Sequence, residues 1–140
     1  MARYLLLTGA GIFLLFGCAH GILALRDLWL PRTFTPTDDS VRHAMQDSRV
    51  AINPHTNVWD AWLGFNLSHA LGLAMFGGSL VVIAWRYFRL FAESPWIQFA
   101  ALLVAAAYFI LSIRFWFRAP AVGSAVGFLC FLGAVILSAA

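Results

Sequence analysis

The sequence predicts an all-α fold: an integral membrane four-helix bundle, with a short amphipathic helix in the loop between the first and second spans. Three observations predict it. Apolar residues make up 62% of the 140 and mean hydropathy is +0.83, above the roughly 45 to 50% apolar share of soluble domains, so the solvent around most side chains is lipid. Four apolar runs bounded by charge, residues 4–25, 58–85, 96–113 and 121–140, reach the length that about 30 Å of hydrocarbon demands at about 1.5 Å per residue. Tryptophans gather at the run ends, where amphipathic rings favour the two membrane surfaces. Trp29, Trp59, Trp62 and Trp116 belong to one surface, and Trp85 and Trp96, with Tyr4 and Tyr87, to the other.

Each run has to be a helix. An unpaired backbone group costs several kcal/mol in lipid, and continuous apolar runs lack the alternation of a closed barrel. The first run, between Arg3 and Arg26, contains "LFGC" ending at Cys18, which resembles a lipoprotein signal; "AHGILAL" keeps the run apolar beyond it, which fits a retained helix better. Cys18 and Cys130 both lie within apolar runs and make no disulfide framework.

Residues 26–57 form a polar loop holding four arginines, four aspartates, His43 and His55. Within it "TFTPTDDSVRHAMQDS" reads as a helix with Thr35 or Thr37 as N-cap, Pro36 near the first turn, and Asp38 and Asp39 at the positive end of the dipole. Val41 and Met45 share its apolar stripe, so it lies on the membrane surface or caps the bundle, and Pro54 marks the far boundary. The arginine counts at the two ends leave the side of the membrane open.

In the second run, small residues at i+4 spacing (Gly64, Ser68, Gly72) mark a packing face, as do Gly17 with Gly21 in the first and Gly123 with Gly127 in the fourth. Nine arginines, no lysine and six acids give a net charge of +3, too small and too scattered for nucleic acid. The expected partners are the lipid bilayer and a membrane protein or a second copy of the chain.

Polar groups inside a bilayer are costly, and functional sites are their default explanation. His20 lies about 9 Å and His69 about 15 Å inside the loop surface, counted along their helices at about 1.5 Å per residue. Asn66 shares a helix face with His69 at i, i+3, and Asp60 and Arg114 lie near the surface of the same leaflet. The other half of the bilayer holds almost only apolar residues. A ligand- or cofactor-binding site therefore draws on His20, Asn66, His69, Asp60 and Arg114, with His20, His69 and His43 as candidate metal ligands. Haem b held by His20 and His69 is the clearest cofactor reading, because two imidazoles on different helices can ligate one iron; a zinc or copper site lacks a third strong ligand unless Asp60 or His43 joins. No Cys-x-x-Cys-His, Gly-x-Ser-x-Gly, phosphate loop or His-Glu-x-x-His occurs, so the sequence leans away from an enzyme. The competing reading is a structural network, in which neutral imidazoles lock helices together in an accessory or assembly protein.

The stretch "VWDAWLGFNLSHALG", with "GCAHG" and "FTPTDDSVRHAM" before it, resembles a family of small bacterial four-span membrane proteins. Trp59, Trp62, Gly64, Phe65, Asn66, Ser68 and His69 carry the likeness, together with His20 and Met45. The resemblance implies a fold and a multi-pass location in the bacterial inner membrane, and no reaction.

Overall fold

The computed structural model describes residues 1–139; Ala140, the last residue of the predicted fourth span, lies outside the described residues. The elements run α1 (Ala2–Asp27), α2 (Asp39–Asp47), β1 (Arg49–Val50), β2 (Asn53–Asn57), α3 (Val58–Arg86), α4 (Phe88–Glu93), α5 (Pro95–Phe115) and α6 (Arg118–Ala139). Four of these, α1, α3, α5 and α6, are long and apolar enough to cross a membrane, so the chain is a multi-pass, all-α membrane protein. Contacts divide it into two compact units: Met1–Phe16 with Leu73–Ala140, and Gly17–Gly72.

The first unit holds the apolar bundle. One ring from each long helix meets around Phe13 of α1: Phe76 of α3 edge-on at 5.1 Å, Phe131 of α6 stacked at 5.8 Å and Tyr108 of α5 tilted at 5.9 Å. Each such pair adds about 0.5 to 1.5 kcal/mol to the burial of its rings. Gly123 and Gly127 of α6 make room for this layer, since a Cβ at either would overlap the ring of Phe16 or Phe13. The small residues of that pair thus admit aromatic rings rather than a neighbouring backbone. Arg3 at the start of α1 donates from Nη2 to the carbonyl of Trp85, 2.7 Å away, and lies over its indole, joining the first turn of α1 to the last turn of α3.

Between α3 and α5 the sequence reading has only a connection, and the structure has α4. Its six residues are too short for a periodic signal. Phe91 is fully buried, Gln98 donates to the carbonyls of Phe91 and Ala92 at its end, and Ser94 and Pro95 then start α5 as N-cap and first residue.

The second unit holds the ends of α1 and α3 with the polar loop. Its helix α2 begins later than expected: the N-cap is Asp38, whose side chain accepts from the Ser40 N–H at 2.8 Å. Thr35, Pro36 and Thr37 precede it. A carboxylate at the positive end of the dipole outcompetes a hydroxyl there, and the Ser40 hydroxyl and N–H hold the Asp38 carboxyl below the usual carboxylate range. Of the expected stripe, Val41 is exposed and Met45 half-buried. Beyond α2 the chain forms a two-stranded antiparallel ribbon, β1 with β2, which the sequence reading missed. Asn53 nucleates it by accepting the His55 N–H and donating to Thr56, and Pro54 sits inside the strand. Two corrections concern packing. Gly64 and Gly72 are exposed, and a Cβ at either would meet nothing within 4 Å, so they make no packed face. Trp59, expected in the aromatic belt, is buried at 6% exposure.

Candidate functional site in the second unit

His20, on the last third of α1, and Asn66 and His69, on the first half of α3, come together within the second unit. Gly21 faces Ala70 where α1 meets α3; a Cβ there would lie in ordinary contact, 3.5 Å from that of Ala70, so the approach does not require glycine. Asn66 is fully buried. Its Nδ2 donates to the Trp62 carbonyl at 2.8 Å and its Oδ1 lies 3.1 Å from Nε2 of His20. A carbonyl only accepts, so the Trp62 contact fixes which end of the amide is oxygen. Nε2 of His20 therefore carries a proton and donates it to Asn66. The rings of His20 and His69 meet edge to face at 5.2 Å, and Phe65 stacks on His69 at 6.1 Å. Both histidines are half-buried.

The loop closes over this group. Phe34 lays its ring on His20 at 4.4 Å, and its carbonyl accepts from the indole Nε1 of Trp62 at 2.8 Å. What holds Phe34 there is Asp27, the last residue of α1 and fully buried. Its carboxylate accepts from the backbone of Arg32 at 3.2 Å, of Thr33 at 3.0 Å on each oxygen, and of Phe34 at 2.6 Å. Neither Asp27 nor Phe34 figures among the sequence candidates. The available signal is an aspartate closing an apolar run with a proline four residues on, which marks a chain reversal facing an acceptor.

The remaining candidates have other surroundings. Asp60 lies in the first turn of α3, which Asn57 caps: the Asp60 N–H donates to Asn57 Oδ1 at 2.7 Å, and its carboxylate accepts from Asn57 Nδ2 at 2.8 Å. Arg114 belongs to the first unit, exposed at the end of α5 with its guanidinium near the Phe115 ring. His43 is exposed on α2. Ser68 donates to the Phe65 carbonyl of its own helix. No group of three or more His, Cys, Asp or Glu side chains able to hold a metal ion occurs among the described residues.

Haem between the two histidines does not fit this geometry. Axial bonds of about 2 Å place the ligating nitrogens about 4 Å apart on opposite sides of a porphyrin. Here the rings touch edge to face, and Phe34 covers His20.

Replacing Asn66 tests whether the network carries stability. Asn66→Leu keeps the branched shape, though with a larger side chain, and leaves the His20 N–H without its Asn66 acceptor, an expected loss of about 1 to 3 kcal/mol on thermal unfolding in detergent; Ser68→Ala is expected to be neutral.

No protein-family model, curated protein or solved structure matches the chain, so the chemistry of this site rests on its own geometry.

Proposed function

We propose that the chain is a small accessory or assembly protein of the bacterial inner membrane, in which the His20–Asn66 network orders the loop rather than serving a reaction. The observation that carries this reading is the connectivity of Asn66. One buried amide joins α1 to α3 through His20 and sits one helical turn from Trp62, whose indole holds the Phe34 carbonyl. Together with Asp27, which accepts from the backbone of Arg32, Thr33 and Phe34, the Trp62 indole sets where residues 32–34 lie, and this supports a defined polar surface at the membrane boundary for a partner to meet.

One observation favours a second reading, a module that binds a metal or a lipophilic ligand: the two imidazoles lie against each other at 5.2 Å. A spectrum with metal analysis of the detergent-purified chain separates the two. The accessory reading expects a colourless protein with less than stoichiometric metal, and His69→Leu that changes stability alone. A Soret band or bound metal that His20→Ala and His69→Ala each abolish overturns it in favour of the ligand-binding module.

A further inference from the structure

The segment that Asp27 holds also shapes a cleft of about 260 Å³ against α2. Pro31 and Pro36 wall it, and Arg32, Thr35, Asp39 and Arg42 supply its polar groups. Two donors here lack protein partners. The Thr35 hydroxyl oxygen and Nε of Arg42 are shielded from solvent and make no hydrogen bond, whereas the large majority of buried polar side-chain atoms are hydrogen-bonded. Arg42 is steered by Asp39, which takes its Nη2 at 3.3 Å. The guanidinium of Arg32, five residues past the end of α1, has no ion pair among the described residues. Two arginines and one aspartate thus line the cleft, and the aspartate's side chain is mostly exposed, at 83%.

Its depth follows from the residues beside it. Leu28, Trp29 and Leu30, between the end of α1 and Pro31, are all exposed, Trp29 at 79%. An exposed apolar run with a tryptophan at the end of a membrane span sits at the headgroup level, so the cleft next to it opens where lipid phosphates lie.

We propose that this cleft binds a phosphate group, carried by a phospholipid headgroup, with Arg32 and Arg42 as cations and the Thr35 hydroxyl as a further donor. Guanidinium forks match the oxygens of phosphate, and charge-assisted bonds are the strong ones. The proposal rests on the ordering of the loop described above, but its donors are residues other than His20 and Asn66.

Native mass spectrometry of the full chain, from micelles containing equal amounts of phosphatidylglycerol and of diacylglycerol with the same acyl chains, tests it. The expected result is retained phosphatidylglycerol, with apparent affinity reduced about tenfold in Arg32→Gln and in Arg42→Gln, and less in Thr35→Val. Arg49→Gln on β1, outside the cleft, should retain lipid as the native chain does. Equal retention of the two lipids, or equal retention by the native chain and both arginine variants, overturns the proposal. A parallel titration with inorganic phosphate, followed by ³¹P NMR, distinguishes the source: saturable binding that the arginine variants abolish, without preference between the lipids, overturns the headgroup assignment and gives the cleft to soluble phosphate.

Discussion

Gly77→Ala is expected to destabilise the protein by about 3 kcal/mol, at the upper end of what overpacking costs, and to lower its unfolding temperature in detergent by about 10 °C. A Cβ at Gly77 would collide with the backbone nitrogen of Leu14, and would lie 2.7 Å from the Ala10 carbonyl oxygen and 2.8 Å from the Leu14 Cα. These are backbone atoms of α1, which cannot rotate aside as a side chain does. The two helices have to separate, and separation loosens the layer in which Phe13 meets Phe76. Lipid supplies no hydrophobic drive between helices, so close packing is what holds them together. Gly72→Ala on the same helix is the control: nothing lies within 4 Å of its Cβ, and with better helix propensity it should be neutral or slightly stabilising. Equal stability of the two variants would show that the contact between α1 and α3 yields at no cost.

That contrast also marks how far the sequence could be read. The four spans were legible because a bilayer imposes a length and a composition, and the observed helices begin and end within a few residues of the predicted runs. The cluster of His20, Asn66 and His69 was legible as polar residues at similar depths in otherwise apolar helices. The closest backbone approach was not. Spacing at i+4 selected Gly64 and Gly72, which face open space, whereas the crowded position is Gly77, next to Gly78 and five residues past Gly72. Small residues mark where helices are able to touch, and only the crossing geometry decides where they do. Asp27 and Phe34 were missed for a related reason. Their partnership spans seven residues of irregular chain, which has no period, and the sequence near Asp27 reads equally well as an ordinary charged boundary of a membrane span. The β1–β2 ribbon escaped because two residues paired with five give no alternation to detect.

The second large effect is expected at that aspartate, and it should be local. Asp27→Ala removes the acceptor of three backbone N–H groups, those of Arg32, Thr33 and Phe34. At about 1 kcal/mol net for each bond, the segment loses about 3 kcal/mol of closing free energy, and hydrogen exchange at residues 32–34 should accelerate about a hundredfold. Because Arg32 and Thr33 are exposed, the freed groups turn to water, which limits the cost and keeps the apolar bundle of the first unit intact. Phe34 then leaves the face of His20, the Trp62 indole loses its acceptor, and Trp62 emission should shift to the red. Asp27→Asn should fall between, since its NH₂ would confront a backbone donor where the second carboxylate oxygen now accepts. Phe34→Ala separates cause from consequence: it uncovers His20 but leaves the carboxylate bonds in place, so exchange at residues 32 and 33 should stay slow. Unchanged exchange in Asp27→Ala would mean that the loop is held by something other than the carboxylate, and the cleft formed by Arg32, Thr35 and Arg42 would then survive the same substitution.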